Sequence, residues 1–326
     1  MSKRFVGLFF CVFAVFPLLS SVGYACSLPS ECMSFVAETA TISVTTYSYA
    51  PRKKSEGDDD ITTVKNYKKA AEQGNAAAQL ALGCFYYTGR ILAQDYAKAK
   101  KWFSAAAQQG NAKAKYYLGC MYFLGNGVDQ NSSSALEWFR KAAEKCEDMA
   151  KFSIGNFYYH GEGVAQSYHD AEYWYRKAAE QENAGAQLGL GLMYQQGHGV
   201  AQDHAKAVRW YTFSADQGLA AAQYNLAYMY YHGLGVSSDF AEAMAWVMRA
   251  AEQGHLSALY ELGYMYENGE GVVEDVIRAH MFYDLSALAG DVDGLQSRDE
   301  IASKMSPEQI EEAQKLAREW MEKFHQ

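Results

Sequence analysis

This chain has little proline and few clustered basic residues. After residue 25 it also has few long apolar runs. The 326 residues include only 4 Pro, and 29 Lys and Arg stand against 38 Asp and Glu, giving a net charge of −9. Scarce proline suits a mostly helical chain, because proline breaks helices. The acidic balance argues against nucleic acid and anionic membranes, whose phosphates need clustered basic side chains. Basic protein or peptide partners are favoured instead.

The sequence motifs of catalysis are also missing. The chain contains no S-x-x-K, H-E-x-x-H or G-x-S-x-G, and no phosphate-binding glycine loop that follows a strand. Of the 8 histidines, only His198 and His204 come near metal-ligand spacing, and they straddle a predicted loop. We therefore predict that the protein is not an enzyme and holds no metal or cofactor.

Residues 1–25 have the pattern of a secretory signal peptide. Lys3 and Arg4 supply positive charge, Phe5–Leu19 is apolar, and the segment up to Ala25 is mostly small and polar. The apolar run is shorter than the roughly 20 residues that a membrane-spanning helix needs. The pattern predicts cleavage and export from a bacterium-like cell, to the periplasm or outside, with no membrane span.

Cleavage after Ala25 would leave Cys26 as the first residue, so a lipid anchor at Cys26 is an alternative to ordinary cleavage. Gly23 stands where bacterial lipoprotein signals carry Leu or a similar aliphatic residue, which favours ordinary cleavage. In an oxidising compartment Cys26 can also pair with Cys32, and the sequence leaves this open. Residues 26–60, rich in Ser, Thr and Tyr and acidic at the end, predict a flexible tether.

The remainder of the chain aligns with itself at a fixed step of 36 residues. Three sets of residues recur in register without an insertion: Trp102, Trp138, Trp174, Trp210, Trp246 and then Phe282; Tyr86, Tyr122, Tyr158, Tyr194, Tyr230 and Tyr266; Gly89, Gly125, Gly161, Gly197, Gly233 and Gly269. Three alanine columns repeat with the same step, starting at Ala78, Ala99 and Ala107. This agreement excludes chance and defines six units.

Each unit has the pattern of a helical hairpin. From Asn75 to Thr88 apolar residues recur at spacings of three and four, which predicts a first helix, helix A, ending at Gly89. Asp95 suits the N-cap of a second helix, helix B, which runs to about residue 109. Two short helices cannot bury Trp and Tyr alone, so neighbouring units must stack. We predict an all-α solenoid over residues 61–290, with a half repeat at its N-terminal end.

Two runs of the repeat, AAEQGNAAAQLALGCFYYTG and AAEQGHLSALYELGYMYENGEGV, closely resemble the Sel-1-like repeats, which are related to the tetratricopeptide repeat. The resemblance implies a right-handed superhelix of αα-hairpins that acts as an adaptor for protein complexes. It also implies that bacterial members are periplasmic or contact host proteins. A cysteine-rich bacterial branch, with cysteines eight residues apart in each repeat, is associated with penicillin binding. This chain lacks that spacing, so a cell-envelope hydrolase or penicillin-interacting protein is the weaker alternative.

The C-terminal end departs from the repeat. Residues 291–326 predict a degenerate repeat and a capping helix, which opens with the capping-box residues Ser306, Pro307 and Gln309. Array ends need such caps to cover the last core edge. Cys84 and Cys120 occupy one position in successive repeats, where packed helices lie too far apart for a disulfide between the two residues, and we expect buried free thiols.

Helix A also carries a stripe of positions that vary from unit to unit, spaced four, three and four residues apart on one helical face. If the invariant columns build the core, this stripe faces solvent and lines the concave surface of the solenoid. Tyr with Asn and His suits a peptide-binding surface. We predict a monomeric, non-catalytic protein–protein interaction scaffold, or a secreted factor that contacts host proteins. Its predicted partner-binding residues are Tyr117, Asn156, His160, Asn225, Tyr228, His232, Glu261, Tyr264 and Asn268.

Overall fold

The computed structural model describes residues 57–89, 91–145 and 147–324. Within those three ranges the secondary structure consists of fifteen α-helices joined by short turns, and it includes no strand. The described residues form two compact units, an N-terminal unit of residues 57–178 and a C-terminal unit of residues 179–324. The predicted signal peptide, the two alternatives for Cys26 (a lipid anchor or a bond to Cys32) and most of the predicted tether lie outside the described residues.

The helices follow the predicted alternation of A and B helices. In the N-terminal unit they are α1 Gly57–Glu72, α2 Ala76–Thr88, α3 Tyr96–Gln108, α4 Ala112–Leu124, α5 Ser132–Ala143, α6 Asp148–His160 and α7 Tyr168–Ala179, which ends at the unit boundary. In the C-terminal unit they are α8 Ala184–Gln196, α9 His204–Asp216, α10 Ala220–His232, α11 Phe240–Glu252, α12 Leu256–Asn268, α13 Val276–Leu288, α14 Val292–Ala302 and α15 Pro307–Phe324. The prediction of an all-helical chain of consecutive hairpins is confirmed.

Helices that are neighbours in the sequence pack on one another inside each unit. The A helix of a repeat contacts its own B helix, and that B helix contacts the A helix of the next repeat. The half repeat predicted at the N-terminal end is helix α1, which begins at Gly57 rather than at residue 61 and packs on α2. Each hairpin therefore completes its core only with the help of the adjacent hairpins, as repeat proteins require.

Five of the six hairpin loops carry two glycines, which serve different purposes, whereas the first loop has Ile91 in place of the second glycine. Gly125 has a φ of 74° and ends α4 in the left-handed conformation, as predicted. Gly127 also has a positive φ, and a Cβ there would lie 2.6 Å from the Cβ of Tyr96 in the B helix of the preceding repeat. At Gly271 a Cβ would lie 2.1 Å from the carbonyl oxygen of Phe240. The second glycine therefore lets the loop approach the preceding repeat, rather than only tightening its own turn.

Asparagine caps several A helices, as the sequence predicts. The side-chain oxygens of Asn75, Asn111 and Asn183 accept hydrogen bonds from the backbone N–H three residues further on, at 2.8–2.9 Å. Leu219 occupies the same position before α10 with nearly the same backbone, φ −70° and ψ 111° against φ −63° and ψ 110° at Asn183. Its side chain makes no cap hydrogen bond, and the N–H of Ala222 is bonded to the Leu219 carbonyl instead.

This difference gives a prediction about stability. We expect Leu219→Asn to raise the free energy of unfolding by up to about 1 kcal/mol, because the backbone already has the conformation that an asparagine cap needs. The reciprocal variant, Asn183→Leu, should lower it by about 1 kcal/mol. Urea unfolding of both variants measures the two changes. A loss of stability in Leu219→Asn would contradict the prediction.

The column that follows the tryptophan column carries a buried ring in five of the six repeats. Phe103, Phe139, Tyr175, Tyr211 and Tyr283 are buried, and each lies against a glycine of its own A helix, where an added Cβ would be 2.4–2.6 Å from the ring. The glycines are Gly83, Gly119, Gly155, Gly191 and Gly263. In the tryptophan column only Trp246 and Phe282 are buried, whereas the other four are partly exposed. The tryptophans thus cover the core more than they fill it.

A hydrogen-bonded glutamine pair, with one buried and one exposed member, joins the two helices of a repeat. The side-chain amide of Gln217, at the end of α9, donates to the side-chain oxygen of Gln187 in α8 at 2.7 Å. The same bond recurs between Gln253 and Gln223 at 2.8 Å. Gln223 in turn donates to the carbonyl of Ala215 in the preceding B helix at 3.3 Å. These bonds satisfy the buried side chains of Gln187 and Gln223, and the bond from Gln223 to Ala215 joins one hairpin to the next.

The last two helices close the C-terminal unit as predicted. Ser306 and Gln309 form the capping box, in which the N–H of Ser306 donates to the Gln309 side chain at 2.9 Å and the N–H of Gln309 donates to the Ser306 hydroxyl at 3.3 Å. Helix α15 packs on α13, and the ring of Trp320 meets that of Phe282 edge to face at 5.1 Å. The helix therefore covers the ring of the last repeat.

Two further observations concern the cysteines and the membrane. Cys84 and Cys120 are both buried, but Cys120 is disulfide-bonded, so the expectation of a free thiol at Cys120 is wrong. A bond between the two column members was the only pairing weighed, and cysteines elsewhere in the chain were overlooked.

In the described part of the chain, every helix is too short or too polar to cross a bilayer.

Candidate functional site

The fifth repeat, formed by α10 and α11, lacks the buried ring that the other repeats have. Ala227 replaces the glycine of the A helix, and Val247 replaces the phenylalanine or tyrosine of the B helix. The smaller valine leaves a cavity of about 10 Å³ in the C-terminal unit. A single water needs roughly 10–15 Å³ of such space, so the cavity admits one group of about that size.

Three helices of the C-terminal unit line this cavity. Helix α10 contributes most of the wall, α11 contributes two small apolar side chains, and α12 contributes one carboxylate. The lining residues are Tyr224, Ala227, Tyr228, Tyr231, His232, Ala243, Val247 and Glu261. Because α10 and α12 are the A helices of successive repeats, the cavity lies between two neighbouring A helices. The sequence analysis placed the binding surface on these same helices.

Aromatic side chains form the rim of the cavity. The Tyr228 ring lies against the His232 ring, with 4.2 Å between the ring centroids. Tyr231 meets His232 and Phe240 edge to face, with 5.0 Å between centroids in both pairs. The Tyr231 hydroxyl donates a hydrogen bond to the carboxylate of Glu270, in the glycine loop of the next repeat. These contacts fix the positions of the rings before any ligand binds.

Glu261 is the charged group inside the cavity, and its side chain is almost wholly buried. The residue is 6% exposed, and within the described part of the chain no hydrogen bond ends on its carboxylate. Burial, together with the negative charge of Glu270, raises the pKa of Glu261 to about 7. At neutral pH the carboxyl group is therefore divided between its protonated and ionised forms.

Three further titratable groups of the cavity, His232, Tyr228 and Tyr231, are held neutral at neutral pH. Burial lowers the pKa of His232, which keeps its ring uncharged. Burial also raises the pKa of Tyr228, and for Tyr231 the hydrogen bond to Glu270 adds to the same effect. The cavity thus combines neutral aromatic walls with one carboxylate that has no positive partner among its lining residues.

Six of the predicted binding residues belong to the C-terminal unit. Tyr228, His232 and Glu261 come together at the cavity. Asn225 is buried, and its Nδ2 has no hydrogen-bond partner. Tyr264 is partly exposed, and exposed Asn268 donates to the Tyr264 carbonyl at 2.8 Å.

The other three predicted residues belong to the N-terminal unit. Tyr117 is buried and stacks on Phe103 of the preceding repeat, with ring centroids 5.1 Å apart. Buried Asn156 accepts a hydrogen bond from the Tyr175 hydroxyl at 2.7 Å, and partly exposed His160 lies against a neighbouring tyrosine ring.

The assumption that varying columns face solvent is therefore wrong for four members of the stripe, namely Tyr117, Asn156, Asn225 and Glu261, which are all buried. They face neighbouring helices, and different repeats use different side chains there.

Sequence analysis missed several residues that shape the site. The small residues Ala227, Ala243 and Val247 make the space, and Tyr224, Tyr231 and Glu270 surround or support it. A signal was present in the repeat itself. In the fifth repeat alone, the column of Gly83 carries alanine while the column of Phe103 carries valine. When the glycine and the ring that packs on it are both replaced in one repeat, and the new B-helix side chain is smaller, the pattern predicts a cavity in the core of that hairpin.

The fold defines a class of protein, namely an all-helical tandem-repeat protein made of stacked hairpins. The Sel1 repeat family model matches residues 59–75, 76–111, 112–145, 148–183, 184–219, 220–255 and 256–291. The chain therefore belongs to the Sel1 repeat family. Proteins of this family are generally non-catalytic scaffolds for protein interactions.

Solved structures with this repeat are similar to the chain. A Sel1 repeat protein from Oxalobacter formigenes is 31% identical, with 71% of this chain and 94% of that protein covered and a TM-score of 0.63. A protective antigen of uropathogenic Escherichia coli with an SLR fold is 29% identical. The match covers 82% of this chain and 73% of that protein, and the TM-score is 0.38. A Sel1 repeat protein from Klebsiella pneumoniae is 23% identical. The match covers 61% of this chain and 96% of that protein, and the TM-score is 0.42. No curated protein matches the sequence.

Proposed function

We propose that this protein is a non-catalytic scaffold that binds a segment of another protein along the A helices of the C-terminal unit, at the cavity between α10 and α12. The observation that supports the proposal is the cavity itself, which exists because the fifth repeat lacks the ring that fills the other repeats. Partly exposed Tyr228 and exposed His232 stand at its rim. Tyrosine provides a large contact area at a small cost in side-chain entropy.

A selection with displayed random peptides tests this proposal. The full chain is used to select peptides, and the affinity of each enriched peptide is then measured by fluorescence polarisation for the unchanged protein and for Tyr228→Ala. We expect Tyr228→Ala to weaken binding by about tenfold or more, which corresponds to about 1.4 kcal/mol and is usual for a central aromatic residue of an interface.

The control is an exposed aromatic residue of the same unit that lies away from the cavity. Phe213 of α9 is 49% exposed, so Phe213→Ala removes a comparable apolar surface. This variant should bind the selected peptides as well as the unchanged protein does. Equal binding by Tyr228→Ala would contradict the proposal, and so would a loss of affinity of the same size in both variants.

We further propose that the protein acts outside the cytoplasm, on the strength of the signal-like pattern of residues 1–25. Cell fractionation tests this directly. Recovery from the periplasm supports an envelope scaffold, recovery from the culture supernatant supports a factor that contacts host proteins, and recovery from the cytoplasm contradicts export.

A further inference from the structure

The cavity of the fifth repeat contains an unusual combination of features for a protein interior. Elsewhere in the C-terminal unit the corresponding space is filled, because the Tyr211 ring lies on Gly191 and the Tyr283 ring lies on Gly263. Those tyrosines also satisfy polar neighbours, since their hydroxyls donate to Gln195 and to the Glu267 carboxylate. In the fifth repeat Val247 supplies neither a ring nor a hydroxyl.

The carboxylate of Glu261 enters this space without a compensating group. The residue is 6% exposed, none of the hydrogen bonds among the described residues ends on its carboxylate, and the charged residue that affects its pKa is Glu270, which is also negative. The carboxylate oxygens keep some contact with solvent, but holding them in a mostly buried position without a positive partner is still unfavourable. A positive group bound in the cavity would remove that penalty and would also relieve the repulsion between the two carboxylates.

The walls of the cavity suit a positive group as well. Tyr224, Tyr228 and Tyr231 place three aromatic side chains around it, and aromatic rings attract cations that lose their water. His232 adds no competing charge, because burial lowers its pKa. Helix α11 contributes only Ala243 and Val247 to the lining, so the base of the cavity is apolar.

The small size of the cavity favours a compact cation. A volume of about 10 Å³ is close to the space of one water, and an ammonium group is of similar size. A guanidinium group is a planar fork with five N–H donors and needs a wider opening, whereas the lysine ammonium is a compact charge on a flexible chain. The net charge of −9 favours the approach of basic segments in general.

We propose that this cavity binds the side-chain ammonium group of a lysine in the protein segment that lies along the A helices of the C-terminal unit, the surface called the peptide-binding groove from here on. This inference rests on the proposed function and specifies its ligand. Glu261 accepts the charged hydrogen bond, the three tyrosines surround the ammonium group, and the aliphatic part of the lysine lies along the rim beside Tyr228 and His232. A charged hydrogen bond of this kind is stronger than a neutral one.

Three small probes test the inference on the full chain at pH 8, where most Glu261 carboxyl groups are ionised. They are the N-acetyl methylamides of lysine, arginine and norleucine, and binding is followed by the NMR line broadening of the probe side chains. We expect saturable binding of the lysine probe, with at least about tenfold weaker binding of the other two. Norleucine has the aliphatic chain without the charge, and arginine has the charge with the wrong shape.

Two variants and a control complete the experiment. Glu261→Gln should weaken the lysine probe by at least about tenfold, because the amide is neutral and nearly the same size. The double variant Ala227→Gly with Val247→Tyr should abolish saturable binding, since it restores the pair that fills the other repeats. Glu274→Gln, which neutralises an exposed acid of the same unit, should leave binding unchanged. Circular dichroism shows whether each variant keeps its helical content.

The outcomes separate this inference from the proposed function. Equal binding of the lysine and norleucine probes, or unchanged binding of lysine to folded Glu261→Gln, would overturn the lysine site while leaving the peptide-binding groove intact. If the lysine probe binds as described but the selected peptides are insensitive to Tyr228→Ala, the groove proposal fails and the ammonium site stands. If Glu261→Gln and Glu274→Gln weaken the probe equally, the effect is general attraction by negative charge, and the lysine site is overturned.

Discussion

Phe139→Ala is expected to lower the free energy of unfolding by about 3–5 kcal/mol, the usual result of removing a large ring from a packed core. Phe139 is 0% exposed and lies on Gly119 of its own A helix. It also contacts Tyr116, with ring centroids 5.6 Å apart, and Phe157 of the next repeat at 5.7 Å. Its removal therefore leaves a cavity where two hairpins meet.

The neighbouring tryptophan provides the matched control for this prediction. Trp138 precedes Phe139 in the same helix but remains partly exposed, so Trp138→Ala should destabilise the protein less although it removes a larger side chain. Urea unfolding of both variants gives the comparison. A loss in Trp138→Ala as large as that in Phe139→Ala would mean that the tryptophan column carries the core.

Glu261→Gln should stabilise the protein by about 3 kcal/mol at pH 8 and by almost nothing near pH 4.5. The folded-state pKa of about 7 exceeds the ordinary value of 4.5, so the folded chain holds a proton that the unfolded chain releases between these pH values. Stability therefore falls as pH rises through this window, by about 1.4 kcal/mol for each pKa unit. Glutamine removes the dependence because it does not ionise.

The measurement is the difference in unfolding free energy between Glu261→Gln and the unchanged chain, from pH 4.5 to pH 8. Taking the difference cancels the other titrating groups, among them His255, whose pKa is lowered to about 4 by burial. His255 acts with the opposite sign, since its stabilising effect is lost as pH falls from about 6.5 to 4. A difference that stays constant with pH would show that the pKa of Glu261 is not raised.

This pH window involves every group that faces Glu261. Four of these groups lie on helix α10, namely Tyr224, Tyr228, Tyr231 and His232. Glu270 lies in the next glycine loop. Tyr260 and Tyr264 lie on α12, and Tyr283 lies on α13. Burial raises the pKa of five of these tyrosines, namely Tyr228, Tyr231, Tyr260, Tyr264 and Tyr283, and it lowers the pKa of His232. Glu261 is therefore the member of this group that titrates near neutral pH.

The two effects expected for Glu261→Gln point in opposite directions, which makes the variant informative. If the carboxylate is retained to hold an ammonium group, the variant gains stability and loses affinity for lysine. Sites that bind ligands commonly lower the stability of the fold in this way. A buried carboxylate that only filled space would show the stability gain without the loss of binding.

The candidate site was only partly predictable from the sequence. The stripe on helix A named Tyr228, His232 and Glu261, which do line one cavity. The reasoning behind it was wrong for Glu261, which was expected to face solvent and is buried. Variation between repeats identifies positions where neighbouring units differ. It does not distinguish an exposed surface from a buried interface.

The sequence by itself determined the length of the repeat, the order of the helices, their capping residues and the closing helix that begins at Pro307. These features follow from local chemistry and from a step of 36 residues, both visible in the chain. Only the tertiary structure decided that the column after the tryptophans supplies a buried ring in five repeats, and that Val247 in the same column leaves a cavity lined by Glu261. Burial depends on which hairpins come into contact, and those contacts join residues far apart in the sequence.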